Sequence, residues 1–368
     1  MRPILLPVCL GAALLHSQPA SVVSPEVAAD RRVTFRLMAP KATEVTVSGE
    51  FQKGAAALRK DERGLWTVTV GPVEPEIYAY NFTIDGVKTI DPGNPRVKSG
   101  STPSTIASLL EVPGDTPAFY DGKDVPHGEV HTHWYQSKSL NALRRLTVYT
   151  PPGYRTQTAA RFPVLYLFHG ANADETAWIR LGRANLILDN LLAAGKTLPF
   201  VVVMPFGYGV PPGTPRPAGS AAPDNTALFS RDLIEDVIPF VQSQYRVETD
   251  RAKRAIAGLS MGGGESLGIG LNHLELFAWV AGFSAALRPD SFAATFASLA
   301  SSGKAANQQL KLLWFGCGTD DSLFAASKSF SAFLDEHGVH HVFRESGGAH
   351  TWMVWRRYLN EVAPLLFR

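Results

Sequence analysis

The segment Ala257-Gly258-Leu259-Ser260-Met261-Gly262-Gly263-Gly264 constrains the fold of this chain more than any other. It sets Gly-x-Ser-x-Gly between an apolar run (Ala255, Ile256, Ala257) and a helical pattern carried by Leu267, Leu271 and Leu274. Strand, sharp turn and helix in that order are the setting in which this motif holds a serine in a strained backbone conformation, its hydroxyl presented above a sheet. Gly258 and Gly262 are then required, because a side chain at either position would collide with the neighbouring strand or helix. The remainder of the chain has to supply that sheet, and the groups that make a serine hydroxyl reactive.

The sheet is legible from residue 146 onward. Apolar strand patterns at 146–149, 164–168, 200–204, 254–257, 279–283, 310–315 and 342–344 alternate with helical patterns at 184–194, 230–244, 261–274, 323–337 and 352–366. This alternation predicts an α/β domain over 129–368, of α/β-hydrolase fold with a mostly parallel, doubly wound sheet. Ahead of it, residues 23–111 read as a small immunoglobulin-like β-sandwich. Val33, Phe35 and Leu37 alternate with polar residues, as do Val45 and Val47, and Trp66, Val68 and Val70, and Asp85-Gly86 is a hairpin signal. Residues 112–128 have little periodicity and read as a linker. Glu129, His131 and His133 alternate as one face of an exposed strand, and no metal site is assigned to them.

Met1-Arg2 followed by the apolar run Ile4 to Leu15 and small residues at 17–21 reads as a signal peptide over 1–20. The run is too short to span a bilayer, so the expectation is a secreted or periplasmic protein with no membrane association once the signal is removed. Cys9 lies in that segment, leaving Cys317 as the one cysteine of the mature chain and excluding an intrachain disulfide. Lys plus Arg number 35 against 33 Asp plus Glu, a net charge of +2, which argues against nucleic acid as a partner.

Ser260 needs an imidazole to take its proton and a carboxylate to orient that imidazole; in α/β-hydrolases the acid and then the histidine follow the serine in the chain. Of the histidines after Ser260, His273 sits too far along the elbow helix. His337, His340 and His341 flank a helix-to-strand turn at the opposite sheet edge. His350 follows a strand through Ser346-Gly347-Gly348-Ala349 and so reaches the edge that carries Ser260. Asp320 and Asp321 both follow the strand at 310–315; one is expected to accept the imidazole N–H and the other to cap the helix that starts near Leu323. The oxyanion hole needs two backbone N–H groups. Met261 supplies one, and Ala171 or Gly170, after the strand at 164–168, supplies the second. His169 reads as structural. Trp178 and Trp352 are candidates for stacking on a substrate ring, and this chemistry needs neither cofactor nor metal.

Two resemblances rest on these segments. Val33 to Pro40, Gly64-Leu65-Trp66, Tyr78 to Phe82 and Asp85-Gly86 resemble the sandwich related to family 48 carbohydrate-binding modules. Val148 to Tyr154, Pro163 to Gly170, Val203-Met204-Pro205, Ile256 to Gly263, Gly318 to Asp321 and Gly348 to Trp352 resemble the esterase D-like α/β-hydrolases, and within them carbohydrate esterase family 1. That resemblance implies a serine carboxylic ester hydrolase acting on feruloyl or acetyl groups of plant polysaccharide, and its Gly-x-x-Asp pattern aligns Asp321 with the acid. A siderophore esterase of enterochelin type, holding an anionic substrate with Arg180, Arg183, Arg216 or Arg231, and an acyltransferase of related fold are the alternatives.

Overall fold

One sheet of eight strands carries the elbow. In chain order they are β1 (Glu129–Ser137), β2 (Ala142–Thr150), β3 (Val164–Phe168), β4 (Val201–Pro205), β5 (Arg254–Gly258), β6 (Trp279–Phe283), β7 (Leu312–Gly318) and β8 (Val342–Ser346). The computed structural model describes residues 22–98, 105–214 and 224–368, so the segment read as a signal peptide and Arg216 lie outside the described residues. The spatial order is β1-β2-β4-β3-β5-β6-β7-β8, with β2 antiparallel to β1 and β4 and every later neighbour pair parallel. All residues of β3, β4, β5 and β6 are buried, as strands covered by helices on both faces must be. The fold is thus the α/β-hydrolase type expected.

Boundaries differ where packing overrides local pattern. β7 starts two residues later than its apolar run and continues through Gly316-Cys317-Gly318, whose small residues pair with Arg344, Glu345 and Ser346 of β8. The helix expected at 230–244 starts at Asn225, because Asp224 accepts the Ala227 N–H at 3.0 Å and caps it. The stretch after β6, given no element from sequence, folds as the short helices Phe292–Thr295, Ala297–Ser301 and Gly303–Gln309. His131 and His133 lie on the edge strand β1, where His133 Nε2 meets Tyr245 Oη at 2.5 Å and His131 Nε2 lies 3.3 Å from Glu129. No helix among the described residues is long and apolar enough to cross a membrane.

The sandwich consists of two antiparallel sheets over strands from Glu26 to Val112. Val33, Phe35, Leu37, Trp66, Tyr78, Tyr80 and Phe82 form its core, so the aromatics that carry the resemblance are interior residues. The Asp85-Gly86 turn has φ +47° and +84°, the left-handed pair that joins Ile84 to Val87 in a tight hairpin.

The two domains are closely joined. Arg356, in helix Trp352–Val362 of the hydrolase domain, reaches Glu76 of the sandwich at 2.6 Å, donates to the Leu181 carbonyl at 2.9 Å and lies over the Tyr120 ring. Both charged groups of this pair are buried. Residues 112–128 differ from a loose linker: Tyr120 is part of the hydrolase core, Asp121 pairs with Arg183 at 3.0 Å, and the Gly128 N–H donates to Asp189. Breaking a buried ion pair strands a charge and costs about 3–5 kcal/mol, whereas replacing both partners by apolar groups restores much of that. Glu76→Ala is therefore expected to lower the melting temperature sharply, and Glu76→Leu combined with Arg356→Met to recover part of the loss, as read by thermal unfolding of the variants side by side.

Candidate active site

Ser260 occupies the turn between β5 and helix Met261–Asn272 with φ +54° and ψ −116°, a conformation that strains any residue with a side chain. The surroundings force it. A Cβ on Gly258 would lie 2.3 Å from the Gly262 carbonyl oxygen, and one on Gly262 would lie 2.4 Å from that of His169. The Ser260 N–H donates to Phe283 and its carbonyl accepts from Ala286, tying the elbow to β6 and the chain after it.

Two further loops converge on the serine. Gly318 passes so close to Gly348 that a Cβ would lie 2.0 Å from its carbonyl oxygen. Thr319 donates to Ser346 and Asp320 to Gly348 through their backbone N–H groups. The loops after β7 and β8 are thereby zipped together at the carboxyl edge of the sheet. His350 Nε2 lies 2.9 Å from Ser260 Oγ, and His350 Nδ1 lies 2.8 Å from Asp321 Oδ2. Asp321 Oδ1 accepts the Leu323 N–H at 2.9 Å. Burial alone would raise the Asp321 carboxyl, but hydrogen bonds from His350, the Leu323 N–H and Ser284 outweigh it and hold the group below the usual carboxylate range. Asp321 is thus the aspartate that meets the imidazole, while the helix Phe324–Glu336 that the other was expected to cap follows Leu323 with no side-chain cap. Asp320 is exposed, and its side chain caps no helix.

Two residues of this cluster had no signal in the sequence. Trp355 stands edge-on to the His350 ring, with centroids 4.9 Å apart, and its indole N–H donates to Ser284 Oγ, which in turn bonds Asp321. Trp355 is one turn beyond the tryptophan that the sequence singled out. The two named tryptophans are placed elsewhere. Trp178 is 1% exposed, gives its N–H to the Phe168 carbonyl at 2.8 Å and packs edge-on to Trp352, so it is a core residue with no face for a ligand. Trp352 is buried among the same rings and edges a cavity of about 280 Å³ between the domains, beside Arg180 and Arg183.

The loop after β3 brings His169, Gly170 and Ala171 against the elbow, where a Cβ on Gly170 would lie 3.1 Å from Ser260 Cβ. Neither the Ala171 nor the Met261 N–H has a backbone or side-chain acceptor among the described residues, which leaves both available to a ligand. Burial pushes the His169 pKa down to about 4, so its ring is neutral. Its Nε2 accepts the Gly207 N–H at 2.9 Å, so Nδ1 carries the proton and donates to the Gly170 carbonyl at 2.8 Å. Beside the elbow a cleft of about 1160 Å³ runs along helix Met261–Asn272, lined by Tyr208, Met261, Leu287, Phe292 and Leu323 among others. Among the described residues no group of three or more His, Cys, Asp or Glu side chains is arranged to hold a metal ion.

Comparison with known proteins bears on the family and the fold. Residues 137–366 match the family model named Esterase. The chain belongs to this esterase family. Residues 22–99 of the esterase match carbohydrate-binding module 48, the isoamylase N-terminal domain. A curated relative, an endo-1,4-beta-xylanase/feruloyl esterase of Xylanibacter ruminicola, is 33% identical over 94% of this chain and 46% of its own length. The chain spans about half the length of such curated relatives, with 53% for a Corynebacterium glutamicum protein. A ferulic acid esterase structure is 28% identical, with TM-score 0.57, over 65% of this chain and 97% of that one. The enterobactin esterase of Shigella flexneri has the same fold at 17% identity, with TM-score 0.65, over 91% of this chain and 92% of its own.

The close approach at the elbow gives a direct test. Gly262→Ala places a methyl against the His169 carbonyl and should cost about 1–3 kcal/mol or more through overpacking. A lower melting temperature together with slower ester hydrolysis is expected, and a variant unchanged in both would contradict the geometry.

Proposed function

We propose that this esterase hydrolyses feruloyl or acetyl esters attached to plant polysaccharide, through an acyl-enzyme formed on Ser260. The observation that carries the reading is the hydrogen-bonded run from Ser260 Oγ through His350 to Asp321, set at an elbow with two unclaimed backbone N–H groups. His350 Nε2 takes the hydroxyl proton as Ser260 Oγ attacks the ester carbonyl carbon. The Met261 and Ala171 N–H groups hold the negative charge that develops on the carbonyl oxygen, while Asp321 stabilises the imidazolium. His350 then gives its proton to the departing alcohol oxygen, and water, activated by the same imidazole, releases the acid. The partly apolar cleft beside Met261 suits an aromatic acyl group, and the named activities of the xylanase/feruloyl esterase relative and the ferulic acid esterase support that choice. The positively charged N-terminus and the short apolar run behind it support export to the periplasm or medium, where such polymers are met.

The enterobactin esterase shares both domains of the fold, which makes a siderophore ester the second reading. Of the arginines that would hold an anionic catecholate, Arg183 is spent on Glu111 and Asp121, and Arg231 pairs with Glu235. This disfavours it. Rates on methyl ferulate, an acetylated xylan and a ferric catecholate ester separate the readings; turnover of the last alone would overturn the first.

Ser260→Ala and His350→Ala should each abolish most turnover, with the double variant little worse than either, because the two act as one unit. Asp321→Asn should cost roughly 10⁴ in kcat, the price of the wrong imidazole tautomer in serine proteases. Asp320→Asn should remain active. Steady-state kinetics with thermal melts on the five variants checks these expectations.

A further inference from the structure

Helix Met261–Asn272 contains one carboxylate that the reaction above does not use. Glu265 lies one turn past the elbow, is 1% exposed, and has Oε2 without a hydrogen-bond partner among the described residues. Its Oε1 accepts from Asn225 Nδ2 at 2.7 Å. The same amide nitrogen donates to the Gly207 carbonyl at 3.2 Å, while Asn225 Oδ1 accepts the Gly209 N–H at 2.8 Å. Gly207 is the residue whose N–H fixes His169, and His169 in turn holds the Gly170 carbonyl.

We propose that Glu265 is a positioning residue for the oxyanion hole, acting through Asn225, Gly207 and His169 on the Gly170–Ala171 peptide. In a trans peptide the C=O and the following N–H point in opposite directions. Holding the Gly170 carbonyl toward His169 therefore turns the Ala171 N–H to the other side. The first donor, Met261, begins the helix in which Glu265 stands, so the run of hydrogen bonds joins the element carrying one donor to the loop carrying the other. Such spacing matters because oxyanion donors act only within a narrow distance of the developing charge.

Glu265 does this as a neutral acid. Among the described residues no cation faces it: Asn225 and Asp224 come from the adjoining helix and its start, Tyr208 and His169 from the neighbouring loops, and Arg288 only lines the same cleft. Burial raises its carboxyl well above the usual range. With Oε1 accepting from Asn225, the proton resides on Oε2, and no negative charge stands beside the oxyanion. An isosteric amide should replace it; a methyl should not.

The inference rests on the proposed role of Ser260, and the test separates the two. The full chain and its Glu265→Ala, Glu265→Gln and Asn225→Ala variants are titrated with a fluorophosphonate and assayed on p-nitrophenyl acetate. We expect Glu265→Ala and Asn225→Ala to lower kcat between about tenfold and the roughly 10²–10³-fold lost with a whole oxyanion donor, KM holding within about twofold, and Glu265→Gln to stay within about threefold of the parent. Unchanged kcat in both alanine variants overturns the proposal, as does a rise in KM alone, which would mark a substrate contact. A Glu265→Gln variant as slow as Glu265→Ala overturns it too. If Glu265→Ala does not fold, Asn225→Ala and Glu265→Gln decide it. A parent that the fluorophosphonate fails to label defeats the reading of Ser260, whereas a labelled parent with full-speed variants defeats this inference alone.

Discussion

The contact on which the site depends is backbone against backbone: the elbow at Gly262 lies against the carbonyl of His169 with no space for a Cβ. That approach holds the turn after β5 and the loop after β3 together, and these are the two segments that present unclaimed N–H groups beside Ser260. The strained φ of Ser260 is sustained because its own N–H and carbonyl are bonded to Phe283 and Ala286. A second approach, Gly318 on Gly348, does the same for the acid and histidine loops. Side-chain chemistry thus sits on a frame fixed by glycines and main-chain hydrogen bonds, which a flexible side chain could not replace.

The sandwich is joined to this frame by the Arg183–Glu111 pair and by the helix that follows His350. Trp352–Val362 starts two residues after His350; Trp355 stands against the imidazole, Met353 packs against the sandwich core and Arg356 reaches Glu76. The same three turns of helix therefore face the reacting histidine and the neighbouring domain. The interface includes a buried ion pair, and a charge as deeply buried as Arg356 is tolerated only with its partner in place.

What was legible in the sequence was whatever depends on local pattern or on chain order at a sheet edge. The apolar runs of β3, β4, β5 and β6 mark buried parallel strands, and the glycines around Ser260 mark a turn with no room. His350 follows from where its strand ends. What was not legible depends on the far side of a contact. Trp178 has the composition of a stacking residue, yet the Phe168 carbonyl and the Trp352 ring enclose it. Residues 112–128 lack periodicity because Tyr120 and Asp121 are fixed singly, each by an arginine of another segment, and not by a repeating face. The aspartate doublet illustrates both cases. Position after a strand offers Asp320 and Asp321 equally, and only the turn that bonds the Asp321 N–H to Gly318 directs one carboxylate inward.

The pattern of buried polar groups separates the two halves of the site. Around Asp321 every hydrogen bond comes from a donor, whether His350, the Leu323 N–H or Ser284, and the result is a group held ionised despite burial. Around Glu265 one amide donates, no cation is present among the described residues, and burial prevails. Two carboxyl groups close to one serine are thus driven in opposite directions by their surroundings. The charge falls where an imidazolium has to be stabilised and is withheld on the side where an oxyanion forms. A negative charge in both places would assist proton transfer and oppose attack, so the difference between the two environments is as much a part of the site as the residues themselves.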